Sequence, residues 1–172
     1  MAGNNLPEPW LRGTLPEVPA VQRAVLHALE LAEEDLKRWC GGLTDEQMEA
    51  RPAGLSPVAF HLRHIARSLD RLLTYAEGRS LTDEQLAGLR QESDPEASRD
   101  DLFSDLDLAI GQSATRIRAF AANSLGQSRR VGQQQLRTTV AGLLVHIADH
   151  TQRHVGQAIT TAKIVGTQRV EP

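Results

Sequence analysis

Apolar residues recur along this chain at intervals of three and four, the repeat of one helix face, with no credible two-residue alternation of the kind a strand requires. The first stripe is Val18, Val21, Val25, Leu29, Ala32, Leu36 and Trp39, with Glu33, Glu34, Lys37 and Arg38 on the other side, and Gly41-Gly42 ends it. The second is Val58, Leu62, Ile65, Leu69, Leu72 and Ala76. Ser56-Pro57 opens it, read as an N-cap serine and a proline at the first helical position, and Gly78 closes it. Phe103, Leu106, Ile110, Ala114, Ile117, Phe120 and Ala121 form the third, running to about residue 123. The fourth starts at Leu136 and steps through Val140, Leu143, Leu144 and Ile147 to Thr151, His154 and Ala158. Four long amphipathic helices without strands predict an all-α fold, a four-helix bundle with a long crossover connection.

The segments between the stripes set the boundaries. Residues 1–19 hold Pro7, Pro9, Pro16 and Pro19 and read as an irregular lead-in, with Trp10 and Leu11 packing across the bundle. Residues 20–166 form the bundle, and 167–172 a frayed tail. Thr44-Asp45-Glu46-Gln47 has the form of a capping box, which starts a short helical turn, and Thr82 to Gln85 uses the same signal again. From Gly78 to about Arg99 the chain is polar, a crossover of the length often used as a lid, and Ser124 to Gln135 is a second polar link.

Composition narrows the function. At 172 residues the chain is expected to be one domain. Its net charge of −3 gives no basic field for a nucleic-acid backbone, and 3% aromatics are too few for a base-stacking platform. Lys37 and Lys163 are the only lysines, so nearly all positive charge is arginine, which keeps its charge when half buried. Cys40 is the single cysteine, which excludes an intramolecular disulfide and thiol-rich zinc sites; no activating base stands beside it, so it reads as an inert thiol. Without a signal-type leader or a membrane-spanning apolar run, a cytoplasmic protein is expected.

The histidines carry the chemistry. His146, His150 and His154 recur every fourth residue, so on a helix each lies about 40° round and about 6 Å along from the last. The stripe puts His154 in the middle of the apolar face and His150 beside it, and two imidazoles at that spacing can grip one ion. Hydrogen-bonded core histidines are the plainer reading for any single one; for the pair, metal is preferred. Without cysteines, its ligands must be His and oxygen. The second helix carries His61 and His64, and the same angular count prefers His61 as the inward one. Arg63, Arg67 and Arg71 repeat every fourth residue there, as a solvated face or as the mouth of an anion pocket.

With both histidine helices in view, the chain resembles the DinB/YfiT-like superfamily of small helical bundles over about residues 20–166. The resemblance is carried by Leu62-Arg63-His64-Ile65-Ala66 and by the run from Leu143 to Gln157, which contains His150-x-x-x-His154-x-Gly156-Gln157. It implies that His64, His150 and His154 hold a divalent metal, zinc or nickel; His61 and His146 are kept as alternative ligands or as groups that support the ligands from behind. It departs from the spacing argument on helix two, where His61 was preferred.

Three neutral imidazoles leave coordination positions open, as in catalytic zinc sites. The residue after His150 is Thr151, where a zinc-protease helix carries glutamate, so that reaction is disfavoured. The resemblance leaves an enzyme acting on a small molecule. Thiol S-transfer is preferred, with a low-molecular-weight thiol whose carboxylates Arg63, Arg67 or Arg153 hold. Metal-dependent hydrolysis is the alternative, and a metal-stabilised binding or dimerisation module is the non-catalytic one. Homodimerisation through an outer helix face follows from the family alone.

Overall fold

The computed structural model describes residues 6–90, 92 and 97–167. Four long helices, α1 (Ala20–Cys40), α3 (Val58–Ala76), α5 (Arg99–Arg118) and α6 (Val140–Thr167), make up the bundle. Two short helices, α2 (Asp45–Glu49) and α4 (Asp83–Arg90), lie in the connections. Helix α1 packs on α6 and α5, and α3 packs on α5 and α6, so α3 and α6 are direct neighbours. That adjacency brings the two histidine-bearing helices face to face.

The core is built largely from the predicted stripes: Leu29, Leu36, Leu62, Ile65, Leu69, Leu106, Ile117, Leu144 and Ile147 are all fully buried. On α3, Leu73 is fully buried where the stripe named Leu72, which is partly buried. Polar groups also tie the helices: Gln22 Nε2 donates to the Phe120 carbonyl just past α5, and Gln152 Nε2 to that of Ala28 within α1. Thr44 and Gln47 form the predicted capping box, and Thr82 with Gln85 makes the same pair of hydrogen bonds at the start of α4. Helix α5 begins with a box of its own, Ser98 with Asp101.

Five expectations are corrected. The polar link before the last helix is a β-hairpin, β1 (Ser128–Val131) with β2 (Leu136–Thr139), antiparallel with Val131 opposite Leu136. Strands of four residues, rich in arginine and largely exposed, have no apolar face to show as alternation. Leu136 is therefore an exposed strand residue rather than the start of the helix, which begins at Val140 with Thr139 Oγ1 accepting from Gly142. The hairpin docks on the end of α3, where Arg129 Nε donates to the Ala76 carbonyl, a helix-end acceptor otherwise without a partner in its own helix.

At the start of α3 the cap is Pro57, extended at ψ 156°, and Ser56 offers no side-chain cap. Its carbonyl instead accepts from Thr161 on α6. Helix α5 stops at Arg118, before the predicted residue 123, and Ala122–Ser124 is a separate 3-10 turn. In the lead-in, Trp10 and Leu11 are exposed. The anchor there is Arg12, whose guanidinium pairs with Glu30 and Glu34 of α1. The predicted tail, apart from Thr167 within α6, lies outside the described residues, as do the first five residues of the lead-in.

Candidate metal centre

On α6 the buried line is Val140, Leu144, Ile147, Thr151, Val155, Ala158 and Ala162. It drifts to Val155 where the sequence pattern placed His154 at its centre. His150 and His154 are thus half-buried at the border of the core face, and His146, a turn earlier, is exposed. A border position suits an ion site, because it is packed on one side and reachable on the other. On α3, His61 is buried at 3% exposure and His64 half-buried. The angular count was right that His61 is the more inward, and depth alone does not decide which ring meets its neighbours.

His64, His150 and His154 each bring a ligand-type nitrogen within 4.8 Å of the other two. His64 Nε2 lies 3.3 Å from His150 Nε2, the separation of about 3.3 Å that two nitrogens take at 2.0–2.1 Å from a tetrahedral zinc. His61 stays outside this triangle and instead places its Nδ1 3.0 Å from Nδ1 of His154. His146 lies beside His150 with its ring tilted by 55°, their centroids 5.4 Å apart. Among the described residues, no fourth His, Cys, Asp or Glu joins the triangle.

The surroundings suit a cation on neutral rings. Burial first, then neighbouring positive groups, push His150 and His154 down to about 4, and burial with the adjacent histidines does the same to His61. All three are uncharged at neutral pH, as metal ligation requires. The outer nitrogens of two ligands are held: Nδ1 of His154 by His61, and Nδ1 of His64 by Glu92 Oε2 at 2.7 Å. Nδ1 of His150 is buried without a hydrogen-bond partner among the described residues. Phe60 stacks on His64 with an interplanar angle of 20° and fixes its plane. An orphaned ring nitrogen, two pre-oriented neighbours and a donor set free of thiolate all fit a borderline divalent ion.

Glu92 was not legible in the sequence. It is one of several carboxylates in a polar crossover, with neither periodicity nor a motif to single it out, and only the fold carries it to His64. Of the two readings of the α3 arginines, the solvated face is not found: Arg63 and Arg71 are buried, paired to Glu49 and Glu92, and Arg67 Nη1 donates to the Gly88 carbonyl of α4. Arg63 and Arg67 line a cavity of about 320 Å³ between α3 and α5, and no histidine lines it. Arg153 borders a separate cavity of about 360 Å³ with His61, Gly156, Gln157 and Thr160. Among the described residues its one ion pair is with Asp149 one turn away, both more than half exposed. Cys40 is fully buried, and burial pushes its thiol up to about 12, so it is inert at neutral pH.

A mostly helical bundle with histidines converging from two neighbouring helices defines a class of small helical-bundle proteins, and the comparisons place the chain within it. The family model of the DinB superfamily matches residues 28–158, and the chain belongs to that superfamily. Among solved structures it is similar to YfiT from Bacillus subtilis, described as a probable metal-dependent hydrolase with an unusual four-helix bundle topology. The two share 17% identity, with a TM-score of 0.63 over 84% of this chain and 87% of the other, a likeness of fold. No curated protein matches the chain. No helix among the described residues is long and apolar enough to cross a membrane.

Proposed function

We propose that this chain is an enzyme that binds one divalent metal ion, zinc or nickel, through His64, His150 and His154, and that acts on a small molecule by thiol S-transfer. The observation that carries the reading is the triangle itself: three neutral imidazoles from two helices, with no fourth ligand among the described residues, beside a cavity that reaches His61. A structural site closes its coordination sphere with four protein ligands, whereas an open one leaves room for a reactant. When bound, the ion supplies a Lewis acid that lowers the pKa of a thiol or a water.

The chain's own groups do the rest. Glu92 and His61 orient His64 and His154. Arg153 is the cation placed to receive a carboxylate in the cavity beside His61, since a surface pair such as Arg153–Asp149 is worth at most about 1 kcal/mol and exchanges readily. Thr151 is buried and carries no proton-accepting charge, so the turn between His150 and His154 provides no general base. Thiol transfer needs less from such a base, because the thiolate is itself the nucleophile.

Hydrolysis is the second reading, favoured by the likeness to YfiT and its description as a probable metal-dependent hydrolase. One assay separates the two. Zinc- or nickel-loaded protein is given cysteine or glutathione with an electrophilic aryl halide, and in parallel a panel of activated esters. Thiol adducts that need both metal and His154 are expected. Ester cleavage without adducts would move the assignment to hydrolysis, and neither product would remove the enzymatic reading.

A further inference from the structure

Glu92 comes from the crossover, yet it is only 6% exposed. A carboxylate taken out of water costs several kcal/mol unless its charge and lone pairs are matched. Here both oxygens are engaged: Oε1 accepts from Arg71 Nη1 at 2.7 Å, and Oε2 meets His64 Nδ1 at 2.7 Å. Arg71 is a permanent cation, so its ion pair with Oε1 keeps the carboxylate in its charged form. An ionised carboxylate only accepts, so the His64 proton sits on Nδ1 and the lone pair on Nε2, the nitrogen facing His150.

Helix α4, just before Glu92 in the chain, is also bound to α3. Arg67 Nη1 donates to the Gly88 carbonyl at 2.8 Å, and Gln85 Nε2 donates to Asp70 Oδ2 at 2.6 Å and to Thr74 Oγ1 at 2.9 Å. Helix α4 and Glu92 are therefore both seated on α3, the helix that carries His64 and Arg71.

We propose that Glu92 is the positioning residue of the metal centre: charge-balanced by Arg71, it locks His64 in the tautomer that presents Nε2, and it couples the docked crossover to ion binding. The proposal rests on the reading of His64, His150 and His154 as ligands. A histidine whose outer N–H is held by a carboxylate is a more basic and better-aimed ligand, and loss of such a partner typically weakens metal binding about 10–100-fold. By linkage, an ion that binds more tightly when Glu92 is seated also holds Glu92 in its seat.

Glu92→Gln is the direct test, because it keeps the shape and removes the charge. An amide has one oxygen and one NH2 group, so it can serve only one of its two donors and must turn an N–H toward the other. Nitrogen-15 NMR of the metal-free wild-type chain is expected to show His64 protonated on Nδ1, and Glu92→Gln to lose that signature. Zinc affinity, by competition with a chromophoric chelator, is expected to fall about 10–100-fold in the variant. Glu77→Gln, which loosens Arg116 and Arg79 near the far end of α3, is expected to leave it unchanged. A wild-type His64 protonated on Nε2 overturns the proposal even if the variant fails to fold. Wild-type uptake with equal uptake by Glu92→Gln overturns it alone, and a wild-type chain that takes up no zinc overturns it together with the ligand assignment.

Discussion

Among the histidines, position in the helix and role at the site separate cleanly. His61 is deeper than His64, yet it touches the outer nitrogen of His154, and His64 reaches the triangle. The expected consequence is a graded series in zinc affinity. Removing His64 or His154 takes away a proposed ligand and is expected to abolish stoichiometric binding, while His61→Ala only frees Nδ1 of His154 and is expected to weaken binding about 10–100-fold. Equilibrium dialysis against a zinc buffer distinguishes the two classes. Cys40 offers a second check at this scale. Its buried thiol is expected to resist an aromatic disulfide reagent at pH 8 in the folded chain and to react fully in denaturant.

At the scale of elements, α6 both closes the core and carries two of the proposed ligands. Ile147 is fully buried, and Ile147→Ala is expected to cost about 2–5 kcal/mol of stability, read from the denaturant midpoint. The four long helices were legible because each repeats an apolar stripe for many turns, and the capping box at Thr44 because its two hydrogen bonds are local. The hairpin was not, since its strands are short and gain their place from Arg129 meeting the end of α3. The drift of the α6 stripe from His154 to Val155 was also hidden, because histidine and valine both fit a three-four spacing and the neighbouring helix decides which is covered. On α3, spacing ranked the two histidines by depth, and the resemblance pointed to His64. What neither could supply was Glu92, whose meeting with His64 spans 28 residues of chain and depends on how the crossover folds back.

For the whole molecule, ion binding and folding are linked. An ion that binds only the folded chain stabilises it by about 2.7 kcal/mol at one hundred times its Kd, which at this size raises Tm by about 5–11 °C. Acid acts in the opposite direction. His61, His150 and His154 are lowered to about 4 in the fold, against about 6.5 when unfolded, so between those values the unfolded chain binds more protons. The metal-free protein is therefore expected to keep this contribution above pH 6.5 and to lose it as pH falls toward 4, as Tm measured in chelator across that range would show. The central claim is the three-histidine metal centre, and the most direct measurement is metal content by mass spectrometry of untagged wild-type protein beside His64→Ala, His154→Ala and His61→Ala. The account predicts near one equivalent of zinc or nickel in the wild type, none with His64 or His154 removed, and retained metal without His61. A wild-type chain that holds no metal after loading, or one that loses it with His61 and keeps it without His64, would contradict the account.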